Sequence, residues 1–251
     1  MMDTLMHTNE RYLRLPSRHL NRKVHLWTFG HWGTPVLVFP SSAGMAHEWR
    51  AGGGIEALAP LIAAGRIKLY CPESNVSETW TADGAPERRL ALHGDYERFV
   101  MEELVPWIQA DCRSPGIQLG TTGVSFGAFY AANAALKWPE VFPWALCLSG
   151  RYRTTPFIGG GGEEAYYNDP LAYVPNLSGE ALEKVRRSTH LTLVVGQGAF
   201  EGGCLPETRE LADVLAEKGI PHERDVWGQD VSHQWVWWRR QLKYHFGRRF
   251  S

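Results

Sequence analysis

A serine stands between two glycines in Gly123-Val124-Ser125-Phe126-Gly127, where an apolar run meets an alanine-rich helical pattern. A serine hydroxyl is a weak nucleophile until a base removes its proton, and it must protrude to reach a substrate. A sharp strand-to-helix turn provides that protrusion by forcing the serine into strained backbone angles. Side chains two positions to either side would collide, so glycine is needed at 123 and 127. The match alone is weak, since a chain this rich in glycine contains one by chance about one time in ten. The strand before it and the helix after it give it weight.

Such a nucleophile needs a base late in the chain, after an acid. "WGQDVSHQWVWW" supplies His233 beyond the last strand-like run. His245 falls inside the final helix, His222 opens a strand, and His190 precedes one at its wrong end. His47 is early and reads as a solvated loop histidine, with a place in the pocket lining as its alternative. "LTLVVGQGAFEGG" contains no Asp, so an acid in that loop must be Glu201. Asp230 is the rival, three residues before His233, with a turn or a supporting hydrogen bond as its alternative role. Glu201 is favoured.

The oxyanion of an acyl-transfer intermediate needs two N–H donors. One is expected from Phe126, and the second from the loop "PSSAGM", where Pro40 has no N–H and the donor is Ser41 or Ser42. Trp80, in the polar loop "NVSETWTADG", is a candidate for stacking on a sugar or aromatic acyl group; a loop pinned by one buried tryptophan explains it equally well. Trp235, one of three tryptophans crowded after His233, is a candidate for the pocket edge.

The elements that must hold these residues follow from periodicity. "KVHLWTF" alternates as a half-exposed strand, and "PVLVF" is continuously apolar, as in a strand covered on both faces. Helical spacing occupies 54–65, 95–110, 126–139, 206–219 and 233–246, and strand-like runs fall at 67–71, 116–122, 144–150, 191–196 and 222–227. This alternation predicts an α/β fold, a mainly parallel sheet with helices on both faces. Residues 151–190, rich in Gly, Pro and Tyr, read as an insertion over one sheet edge, a lid or a plain surface excursion.

With 251 residues the chain holds one substantial core, and 26 basic against 27 acidic residues leave a formal net charge of -1. No charge run suits a nucleic acid. The first twenty residues carry no long apolar stretch, so neither a secretory signal nor a membrane anchor is expected. The four cysteines lie far apart, without metal-site spacing, and read as free thiols in a reducing, cytoplasmic compartment. No metal and no cofactor are expected.

The elbow "GVSFGA", the loop "FPSSAG", the segment "VVGQGAFE" and "WGQDVSHQWVWW" occur in an order that resembles the putative-esterase (esterase D-like) family of α/β-hydrolases. That family includes S-formylglutathione hydrolases, feruloyl esterases, siderophore esterases and mycolyltransferases. The likeness runs from about Leu20 to Phe246. It implies a single α/β-hydrolase domain and a metal-independent serine carboxylesterase. Ser125 would be the nucleophile, Glu201 the acid and His233 the base, with Ser42 and Phe126 near the oxyanion. A serine acyltransferase and a non-catalytic binding protein are the alternatives. The expected partner is a small-molecule ester, with no nucleic acid or membrane, and a homo-oligomer is compatible. Two positions and one loop depart from the family pattern. Ala128 replaces a frequent third glycine, Gln234 stands where aspartate is common, and the acid loop "QGAFE" is longer than usual.

Overall fold

The structure is a computed structural model that describes residues 8–160 and 162–250. Residues 1–7, read above as lacking a signal or anchor, lie outside that range, as do residues 161 and 251. β2 (Arg22–Phe29) is the half-exposed strand expected over 23–29, and it pairs in an antiparallel hairpin with β1 (Arg11–Ser17), which periodicity had not resolved. Pro16 of β1 has no N–H to donate, and that strand has only one neighbour, so it tolerates a residue that an interior strand would reject.

The rest of the chain alternates. β3 (Thr34–Phe39) leads to α1 (Glu48–Ala51) and α2 (Gly54–Ala63), then β4 (Ile67–Pro72), α3 (Pro86–Arg98) and α4 (Val105–Asp111). β5 (Gly120–Val124) runs into α5 (Phe126–Lys137), and β6 (Trp144–Leu148) into the segment expected as an insertion. There α6 (Thr155–Ile158), α7 (Gly162–Tyr166), α8 (Pro170–Tyr173) and α9 (Gly179–Ser188) precede β7 (His190–Val195). α10 (Cys204–Glu217), β8 (His222–Val226) and α11 (Trp235–Phe250) complete the order. The helix expected over 95–110 starts earlier, at Pro86, and widens into a π-helical stretch over Phe99–Leu104. Pro106 follows at once; it cannot donate to the carbonyl four residues back, and a wider turn relieves that lost bond and the ring clash.

The sheet order is β1-β2-β4-β3-β5-β6-β7-β8, with β2 antiparallel to β4 and β3 to β8 parallel throughout. Along β3, Leu37 and Phe39 point into the core under α3, α4 and α5, while Val36 and Val38 point into the core under α2 and α11. All four are buried, and each side chain contributes about 1.5–3 kcal/mol by leaving water. This is the α/β-hydrolase fold.

Two buried carboxylates fasten the segment between β6 and β7. Asp169 accepts from the Thr154 and Thr155 N–H groups at 2.9 and 3.2 Å, and Glu207 of α10 accepts from Tyr152 and Arg153 N–H at 2.6 and 3.0 Å. Tyr173 donates to Asn133 of α5 at 3.0 Å, and Arg89 of α3 to the Phe157 carbonyl at 2.7 Å.

Candidate active site

β5 ends at Val124 and α5 begins at Phe126, leaving Ser125 alone at the joint with φ 56° and ψ -121°. Positive φ in a residue with a side chain is costly and persists where the surroundings impose it. The surroundings are explicit. A Cβ on Gly123 would lie 2.1 Å from the backbone of Gly127, and a Cβ on Gly127 would lie 2.3 Å from the Phe39 carbonyl oxygen. Both glycines are sterically obligatory. Their absence of side chains also draws the end of β3, with the loop that follows it, against the elbow.

That loop carries both serines expected near the oxyanion, and their N–H groups differ in what they meet. The Ser41 N–H donates to Glu48 Oε2 at 2.9 Å and is already used. Among the described residues, the N–H groups of Ser42 and of Phe126, the first residue of α5, have no hydrogen-bond partner. Phe157, from the segment after β6, meets the Phe126 ring edge-on at 4.9 Å, and the Arg151 guanidinium lies 4.8 Å over Phe157.

His233 lies in the loop between β8 and α11, anchored by its N–H on the Ala199 carbonyl at 3.0 Å. Its Nδ1 is 3.4 Å from Glu201 Oε2. A carboxylate only accepts, so this contact holds the proton on Nδ1. Glu201 is 1% exposed. The two loops meet because Gly196 and Gly198 have no side chains: a Cβ on either would lie 2.1 or 2.8 Å from the Val231 carbonyl oxygen. No hydrogen bond joins the Ser125 hydroxyl to His233 among the described residues.

Ser149, at the end of β6, had no signal in the sequence beyond standing after a strand. Its Oγ donates to Glu201 Oε1 at 2.6 Å and accepts from Trp238 Nε1 at 3.0 Å. It too has positive φ, 51°. Cys204, at the start of α10, places its Sγ 3.8 Å from His233 Nδ1. Burial, followed by the charge of Glu201, pushes its thiol up to about 12. The donor atoms of Glu201, Cys204 and His233 all lie within 4.8 Å of one another.

Trp80 takes the second of its two readings, Trp235 departs from the expected pocket edge, and Asp230, the disfavoured rival acid, stays apart from His233. Trp80 is buried, with its N–H on Tyr130 Oη at 3.1 Å and its ring edge-on to Phe129, so it pins the core and offers no face to a substrate. Trp235 packs edge-on against Trp49 and Trp238, and a Cβ on Gly52 would lie 2.2 Å from its ring; it fills a turn between α1 and α2. Asp230 is exposed and makes no hydrogen bond to His233 among the described residues, because its loop turns it outward past Gly228.

The family model described as "Putative esterase" matches residues 34–248. Among solved structures the chain is similar to a ferulic acid esterase at 17% identity, covering 97% of this chain and 98% of that one, with a TM-score of 0.77. An S-formylglutathione hydrolase from Agrobacterium tumefaciens matches at 16% identity over 98% and 96% of the chains, with a TM-score of 0.75. A fluorophosphonate-binding serine hydrolase of Staphylococcus aureus matches at 12% identity over 97% and 99%, also at 0.75.

Proposed function

From the premise that this chain belongs to the putative-esterase family and is a serine ester hydrolase, we propose that it cleaves a carboxylic ester through an acyl-enzyme on Ser125. The observation that carries this reading is the strained Ser125, held between two glycines that admit no side chain, beside the unpaired Phe126 N–H.

In this reading Ser125 Oγ attacks the ester carbonyl while His233 Nε2 takes its proton. Glu201 keeps the other imidazole proton on Nδ1 and stabilises the charge that forms. The gap between Ser125 and His233 closes as substrate binds, as catalytic hydrogen bonds commonly do. The developing oxyanion accepts from the N–H groups of Phe126 and Ser42, because Ser41 is committed to Glu48. The imidazolium returns its proton to the departing alcohol. Water, deprotonated by the same ring, then releases the acid. Four unpaired thiols support a reducing, cytoplasmic setting for this chemistry. No helix among the described residues is long and apolar enough to cross a membrane.

A fluorophosphonate probe tests the assignment. It is expected to label the protein at Ser125 and to leave Ser125→Ala unlabelled; labelling that survives the substitution refutes the nucleophile.

A further inference from the structure

We propose that Glu201 Oε2, Cys204 Sγ and His233 Nδ1 form an inhibitory site for a thiophilic divalent cation, zinc above all. The inhibitory part rests on the esterase reading above; the binding part does not.

The first argument is metric. Zinc holds its ligands in a tetrahedron at about 2.0–2.1 Å for nitrogen, 2.0–2.2 Å for oxygen and 2.3 Å for sulfur, which sets the nitrogen–oxygen edge at about 3.4 Å and the nitrogen–sulfur edge at about 3.6 Å. The corresponding distances here are 3.4 Å from His233 Nδ1 to Glu201 Oε2 and 3.8 Å from His233 Nδ1 to Cys204 Sγ. Two edges of the tetrahedral face thus match, and all three donor atoms lie within 4.8 Å of one another.

The second argument is chemical. One thiolate, one carboxylate and one neutral imidazole cancel a double positive charge, so the occupied site is neutral where it is buried. Sulfur selects zinc over hard cations such as magnesium or calcium. Two of the ligands share one turn, since the Cys204 N–H donates to the Glu201 carbonyl at 3.0 Å, and this limits the ordering that binding demands. Ser149 already holds the other carboxylate oxygen at 2.6 Å, the kind of support that orients a ligand. His233 is the exposed member, with 19% of its side chain accessible, and opens the route for the cation and for a fourth ligand from water.

The consequence follows from the tautomer. The metal takes the lone pair of Nδ1, so the imidazole proton must reside on Nε2. A protonated Nε2 cannot accept the proton of Ser125. In balance, the Cys204 thiol releases one proton to solvent, the Nδ1 proton is replaced by one on Nε2, and two metal bonds form to sulfur and nitrogen with a third to Glu201. No redox step is involved. The same arrangement that keeps the base in its working tautomer becomes an off switch when a soft cation displaces the Nδ1 proton.

Cobalt(II) serves as the optical probe for the zinc site. One equivalent added to the full-length protein is expected to give a thiolate-to-cobalt charge-transfer band that zinc displaces, and Ser125→Ala is expected to show the same band although it cannot turn over. Cys204→Ser, with Cys204→Ala as the second variant in case the first fails to fold, is expected to lose the band. Zinc is expected to inhibit ester hydrolysis by the wild type, with full recovery on chelation. Each Cys204 variant, scored against its own metal-free rate, is expected to need at least about tenfold more zinc. Absence of the band overturns the site. Zinc inhibition of equal strength in the wild type and both Cys204 variants overturns it as well, by placing the metal elsewhere.

Discussion

Ser149 Oγ donates to Glu201 Oε1 at 2.6 Å, while the other oxygen of the same carboxylate faces His233. The carboxylate is therefore held from behind, and Trp238 holds Ser149 in turn at 3.0 Å. A hydrogen bond to a buried charged group is worth about 1.5–3 kcal/mol. Ser149→Ala should lower kcat by about 10–100-fold, the rate equivalent of that energy. Ser149→Gly should lose as much activity yet less thermal stability, because glycine tolerates the positive φ. Steady-state kinetics beside thermal melts of both variants check this; equal kcat in Ser149→Ala and the wild type would remove Ser149 from the site's support.

Glu201 and Asp230 are separated by their neutral amides. Loss of the true acid leaves the imidazole in the wrong tautomer, at a cost on the order of 10⁴ in kcat in a serine protease triad. Glu201→Gln should approach that loss with its fold intact. Asp230→Asn, changing an exposed side chain, should stay within about threefold of the wild type. The reverse ranking in kcat at equal melting temperature would move the acid to Asp230.

Glu48 holds the Ser41 N–H, and burial, only partly offset by that hydrogen bond, raises its carboxyl above the ordinary 4.5. The folded protein thus takes up the Glu48 proton at a higher pH than the unfolded chain does. The sign follows: ionised Glu48 is a liability above its folded pKa, and the liability vanishes below about 4.5, where both states are protonated. Glu48→Gln keeps an oxygen for the Ser41 N–H and removes the charge. It should melt higher than the wild type at neutral pH, with the difference shrinking as pH falls towards 4.5. A difference independent of pH would exclude the charge as its cause.

Phe200 precedes Glu201 with φ 65° and 81% of its surface exposed. A bulky residue in the left-handed region is strained by about 1–2 kcal/mol, and this ring gains little from burial. Phe200→Gly should raise stability by up to about 1 kcal/mol, since the extra freedom of glycine in the unfolded chain takes back part of the relief. Placed one residue from the acid, the ring is expected to meet the apolar part of the ester. The ratio of kcat/KM for aryl-acyl over acetyl esters should therefore fall in the same variant. A melting temperature that drops would show that Phe200 supports the loop.

The elbow was legible because its requirement is steric and local: glycines at 123 and 127 are demanded by backbone atoms within 2.1–2.3 Å of where a side chain would start. The meeting of Glu201 and His233 was legible from their order after strands. Trp80 was not, since a polar loop does not reveal whether one ring turns inward; Tyr130 and Phe129, fifty positions away, decide that. Ser149 was invisible for a related reason. A single serine after a strand has no periodic or motif signature, and its role exists only when Glu201 and Trp238 arrive from other elements. That the Ser41 N–H is already used likewise depends on a side chain seven residues on, Glu48.

The contact between His233 and Trp238, edge-on with ring centroids 4.8 Å apart, gives the protein an internal optical probe. A charged imidazolium at that range quenches indole emission far more than a neutral ring does. The fluorescence difference between the wild type and Trp238→Phe should therefore follow the charge on His233 without any added dye. Stopped-flow mixing with ester would then display proton traffic at the base on the timescale of a single turnover.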